Sequence, residues 1–258
     1  MLAGLLGATL FGEVLPVVAA LVISLIATLI IGFGLKESIP SVLTKDPESF
    51  NVRKVFGQEQ KQCFKITGAN KLSTTDLFEI PHIPVLMAVY FLVMLGFSFF
   101  YTAFPVHAVK GLEWSVMDTG IYFAVLGLFM VVVQGPVFAR ASRRYSDNVL
   151  VINGSLILGA GFLLLLGTSN ITLYSAALLI ALGNGLMWPS VMGLVSRFAG
   201  ERHQGAVQGF ASSVGAIASI VGLTLGGLLY NWIQSWAFVT SAVTLVLVAA
   251  IMSYSRTR

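Results

Sequence analysis

The sequence predicts an all-α, polytopic transmembrane helical bundle, and three observations carry that prediction. Seven apolar runs follow one another, almost no charge falls inside them, and the basic residues collect in alternate gaps between them. The runs cover 14–35, 83–106, 117–139, 149–168, 171–194, 206–230 and 233–254. Each is about 20 residues, enough at about 1.5 Å per residue to cross a hydrocarbon core of about 30 Å. Strands would need shorter, alternating segments, so helices are the expectation.

A chain of 258 residues that is 57% hydrophobic and 10% charged, with mean hydropathy +0.89, is not a water-soluble globule. Of 15 Lys and Arg residues, all but Lys110 lie in the gaps 36–82, 140–148 and 195–205 or in the tail after 254. Basic loops resist translocation, so those gaps and the C-terminus are expected to be cytoplasmic, in a plasma or inner membrane. The net charge of +4 is this bias, not a nucleic-acid footprint, because no aromatic stripe interleaves the basic residues.

Met1–Gly12 is apolar but has no basic region before it, so it does not read as a signal peptide. It reads as the end of a helix, and the chain as the rear portion of a longer protein. Residues 1–35 then hold that helix end and one span. Residues 36–81 are a polar linker with seven basic and six acidic residues, broken by Pro40, Pro47, Gly57 and Gly68, with a short surface helix near 52–64. The mixed signs argue against a dedicated anionic-lipid patch. Residues 82–258 form a compact six-helix unit.

Within that unit the first two spans bring Tyr101, Tyr122 and Gln134 to membrane depth. Gly154 and Gly161 in the next span, and Gly183 and Gly185 in the one after, allow close helix approach. Asn184 and Trp188 are one turn apart, so they share a face, and Pro189 opens the local backbone ladder. The following span carries Gly205/Gly209, Gly222/Gly226, and Gln208 followed by Ser212 and Ser213.

Tyr101, Tyr122, Gln134, Asn184, Trp188 and Gln208 are the substrate-cavity candidates. A neutral pocket of aromatic, amide and methionine groups suits an apolar or weakly cationic small molecule. Each also has a plain reading as an interhelical hydrogen bond or packing aromatic. No Asp, Glu or His lies near the middle of a span, and His82, His107 and His203 fall at span ends or in gaps. No catalytic residue, cofactor or metal site is expected, and Cys63 alone offers neither a disulfide nor a thiol cluster.

The gap after the third run reads Gly135-Pro136-Val137-Phe138-Ala139-Arg140-Ala141-Ser142-Arg143-Arg144. It resembles the second copy of the major facilitator loop motif, G-x-x-x-D-R-x-G-R-R. Gly135, Arg140, Arg143 and Arg144 match; Ala139 replaces the acidic residue and Ser142 the second glycine, with Asp147 the nearest carboxylate. Gly183 through Pro189, Ser196-Arg197 and Gly205 through Gly209 resemble the tenth and eleventh helices of tetracycline-efflux-type drug:proton antiporters. Gly4-Leu5-Leu6-Gly7, Pro16 and the exit Leu35-Lys36-Glu37-Ser38 resemble the sixth.

The resemblance implies the C-terminal six-helix half of the major facilitator fold, preceded by one helix and a stub. It implies two halves enclosing a midplane site that opens alternately to each side, with a small-molecule substrate, the lipid bilayer and a missing N-terminal half as partners. It also implies efflux by antiport. Two other readings stay open: a seven-helix receptor, which shares the topology, and a half-length membrane scaffold that moves nothing. An intramembrane enzyme lacks its constellation of residues at depth.

Overall fold

Long apolar runs must satisfy every backbone group internally, and a helix does so within one segment. The structure, a computed structural model, describes residues 14–34, 77–78, 80 and 82–256, and the regular elements among them are all helical. They are α1 (Val14–Gly34), α2 (Ile83–Lys110), α3 (Val116–Val132), α4 (Phe138–Arg144), α5 (Asp147–Leu164), α6 (Asn170–Ile233) and α7 (Ala237–Arg256). A π-helical segment, Val133–Val137, joins α3 to α4, and a 3-10 turn, Gln234–Trp236, joins α6 to α7. The helix end expected at 1–12, the linker from 36 to 76 and the surface helix near 52–64 lie outside the described residues.

Local chemistry sets the helix ends. Pro84 sits in the first turn of α2, where a missing N–H costs nothing. Ser115 caps α3 in a capping box: its hydroxyl accepts from the Asp118 N–H, and the Asp118 carboxylate accepts from the Ser115 N–H. Ser169 caps α6 by accepting from the Thr172 N–H. α2 outruns its apolar run, continuing through His107 to Lys110, where the Gly111 N–H closes it by donating to the His107 carbonyl.

α6 is two spans, Asn170–Gly200 and 203–233. Gly200 breaks them at φ 63, ψ 167, a conformation open to glycine and strained for other residues. The gap expected at 195–205 is therefore a single sharp reversal, not an open loop.

Among the described residues six stretches are long and apolar enough to cross a membrane. One of them, His203–Ser255, turns at Gln234–Trp236 and so holds two crossings. Two ends of the bundle result. His82, Asn148, Phe198 and Met252 meet at one, the Arg144 end. His107, Tyr230 and Phe238 meet at the other, the Lys110 end.

α2 and α5 each pack against both α6 and α7, α3 packs against α6, and α2 and α3 meet chiefly through aromatic side chains. Lipid tails are as apolar as leucine, so close backbone approach is what drives this packing. Gly154 and Gly161 of α5 meet Gly183 and Ile180 of the first α6 limb, and Gly222 and Gly226 of the second limb meet Ser98 and Phe99 of α2. Gly205 and Gly209 have nothing near their faces, so those two glycines are not packing sites among the described residues. Along α1 the described side chains are exposed, with only Ala19 partly covered.

Candidate functional site

α2 and α3 meet through Phe100 and Phe104 against Tyr122 and Phe123, and the first limb of α6 packs against both helices. Asn184 and Trp188, one turn apart on that limb, meet α3 and α2 respectively. The Asn184 amide Nδ2 lies 4.0 Å from the Met130 sulfur on α3, and the Trp188 ring lies 5.3 Å from that of Tyr90 on α2. Both side chains are half-buried. Pro189 has no N–H for the Gly185 carbonyl, and next to it the Ser190 hydroxyl donates to the Leu186 carbonyl at 2.9 Å.

Gln134 falls inside the π-helical segment. Pro136 can donate no hydrogen bond, and the wider π turn fits it into an otherwise continuous span. Gln134 is exposed, and its Cγ lies beside Gly185, where a Cβ would stand 3.4 Å away. Gln134, Met130 and Asn184 thus occupy neighbouring positions across the α3–α6 contact.

Tyr101 lies toward the Lys110 end, 45% exposed, its ring 5.1 Å from Phe97 and 5.6 Å from Phe100. With Pro105 and Val109 it forms the α2 wall of a cleft of about 530 Å³, whose α3 wall is Thr119, Gly120 and Phe123.

Tyr122 does not line an open cavity. It is fully buried, stacked 4.4 Å from Phe104 and flanked by Trp114, Phe123 and Tyr174, and its hydroxyl finds no partner among the described residues. One position along a helix rotates a side chain by about 100°, which separates Tyr122 from the cleft-lining Phe123. Gln208 is exposed on the second α6 limb near the Arg144 end, apart from the other candidates; Ser212 and Ser213 back-bond to the Gln208 and Gly209 carbonyls.

The arginine-rich motif is not a loop. Gly135 belongs to the π segment and Arg140, Arg143 and Arg144 to α4, leaving only Tyr145 and Ser146 outside helix. The reason is electrostatic: cations complement the unpaired carbonyls of a helix C-terminus. Arg140 donates to the Pro136 carbonyl at 3.1 Å. Asp147 pairs not with these arginines but with Arg197 at the foot of the first α6 limb.

Sequence reasoning also passed over His107. It lies in the last turn of α2, as its position at a span end implied, but it is buried and hydrogen-bonded through Nδ1 to the Tyr230 hydroxyl at 3.1 Å. A histidine followed closely by Lys110 looks solvent-facing in a linear reading; only the partner span 123 residues away covers it. Among the described residues no group of His, Cys, Asp or Glu could hold a metal ion.

The apolar crossings and their packing define a multi-pass integral membrane protein. The family model of the Major Facilitator Superfamily matches residues 1–222 and again 86–258, and the chain belongs to that family. It is 26% identical over 141 residues to the class C tetracycline resistance protein of Escherichia coli, covering 54% of this chain and 35% of that one. It is 23% identical over 146 residues to the class H tetracycline resistance protein of Pasteurella multocida, covering 57% and 36%. It is 24% identical over 226 residues to the hippocampus abundant transcript 1 protein of Mus musculus, covering 85% and 43%. The matches thus span about a third of the length of the tetracycline resistance relatives.

Proposed function

We propose that this chain is the rear half of a carrier that exports a small organic molecule by alternating access, in exchange for protons. Family membership supports transport, and the tetracycline resistance relatives favour export of a drug-like compound. The observation that carries the reading is the first α6 limb: Asn184 and Trp188 stand half-buried on it beside Met130 and Tyr90, Gln134 is exposed next to Gly185, and Tyr101 opens onto a cleft beyond them. Neutral amides, a thioether and aromatic faces would hold an apolar or weakly cationic molecule without trapping a charge.

On this reading the Arg144 end and the C-terminus are cytoplasmic, because Arg140, Arg143, Arg144 and Arg197 cluster there, and the Lys110 end is outside. The membrane is the plasma or inner membrane. A second six-helix half, from the same polypeptide or a partner, completes the path, and the short match to the relatives favours that arrangement.

The test is accumulation of tetracycline and of a lipophilic cationic dye in cells expressing the chain together with whatever coding sequence precedes Met1. Reduced accumulation that collapses when the proton gradient is discharged supports the proposal. Equal accumulation with and without the protein, for both probes, removes export.

A further inference from the structure

The tip of α2 has two working faces. Tyr101, Pro105 and Val109, four residues apart, form one wall of the 530 Å³ cleft, while Ala103, Phe104, His107 and Ala108 are buried against the bundle. Pro105 supplies no N–H to the Tyr101 carbonyl and its ring crowds that carbonyl, so the tip is weakly joined to the rest of α2.

His107 is the polar contact that holds the tip down, beside the fully buried Ala108 and the packed Val106 and Leu112. Its Nδ1 meets the Tyr230 hydroxyl, its ring packs edge-on to Phe238 at 5.3 Å, and Gly111 lies so close that a Cβ there would stand 2.7 Å from Nδ1. Nε2 is enclosed and has no partner among the described residues.

This niche suits a neutral imidazole and not a charged one. A neutral ring offers one N–H and one lone pair, and the phenol can meet Nδ1 in either role. A protonated ring carries two N–H donors; Nε2–H would then be buried without an acceptor, beside an uncompensated charge. The groups that could answer that charge are few. Tyr230 is the titratable group on the second α6 limb here, Tyr174 on the first, and Asp118 and Tyr122 on α3. Lys110 follows on α2 itself and Glu113 in the next loop, while the first turns of α7 carry no ionisable residue. Glu113 and Asp118 are exposed, and Asp118 is already engaged by Ser115.

We infer that His107 and Tyr230 form a proton-released latch: when His107 takes up a proton it leaves Tyr230, and the tip of α2 swings about Pro105 and reshapes the cleft. The latch is closed at neutral pH and opens as pH falls. It depends on neither the cargo nor the direction of transport.

The experiment uses the full chain in lipid nanodiscs, where both faces meet the reagent, on a Cys63→Ser background. The labelling rate of a cysteine at the buried Ala108 is divided by that at the exposed Val109, and the same ratio in His107→Gln controls for the pH dependence of thiol reactivity. The ratio should rise about fivefold between about pH 7.5 and about pH 5.5. It should stay flat in His107→Gln, which keeps a neutral hydrogen bond but cannot titrate. In Tyr230→Phe it should already be raised at the higher pH. The same rise in His107→Gln, or no rise with His107 present, overturns the latch. Should His107→Gln fail to fold, a Tyr230→Phe ratio equal to that of the parent overturns it alone.

Discussion

Gly154 and Gly183 meet backbone to backbone. A Cβ on Gly183 would stand 2.7 Å from the Gly154 carbonyl oxygen, and one on Gly154 would stand 2.9 Å from that of Gly183. No flexible side-chain end can move aside there, so α5 and the first α6 limb would have to separate. Gly183→Ala is expected to cost about 1–3 kcal/mol or more in unfolding from detergent micelles. Gly209→Ala, with nothing near its face, should be neutral or stabilising by about 0.5–1 kcal/mol. Equal effects at the two sites would show that the close approach is not what holds these helices.

The Asp147–Arg197 pair is asymmetric in exposure, with side chains 12% and 72% accessible. Removing Arg197 strands a largely covered carboxylate, whereas removing Asp147 leaves a cation already in solvent. Arg197→Ala should therefore destabilise more than Asp147→Ala, with a coupling of about 1 kcal/mol in a double-mutant cycle of thermal unfolding. A coupling indistinguishable from zero would reduce the pair to a surface contact.

Tyr122 and its neighbour Phe123 point different ways, which separates packing from transport. Tyr122→Phe deletes a buried hydroxyl that has no partner among the described residues, so stability should hold or rise by about 1 kcal/mol. Transport by the whole carrier should be unchanged. A large loss of transport with intact folding would return Tyr122 to the substrate path.

Cysteine at Asn184 or Trp188 should be labelled by a small thiol reagent and protected by the transported compound, while cysteine at Tyr122 should react with neither reagent nor substrate competition. Absence of protection at both Asn184 and Trp188 would take them out of the binding surface.

The sequence was most informative where one physical rule acts locally. Backbone groups must pair inside the bilayer and arginines resist crossing it, so the seven runs and the basic gaps could be read without knowing any neighbour. The degenerate motif from Gly135 to Arg144 pointed to the family together with the stretches at 183–189, 196–197 and 205–209, although its helical conformation was not foreseen. Continuation of a helix past the apolar run depends on caps and terminal cations rather than on hydropathy.

What the chain alone determined is therefore its class: which stretches are helical crossings, in what order, and which small and polar residues they carry. Which glycines close against another backbone, that Phe123 rather than Tyr122 meets the cleft, that Asp147 answers Arg197, and that His107 is sealed by Tyr230 were decided only by the assembled bundle. Each of these depends on how far one helix is rotated and shifted against another. Nearly uniform apolar surfaces leave that rotation unmarked in the sequence until side chains from distant spans pack together.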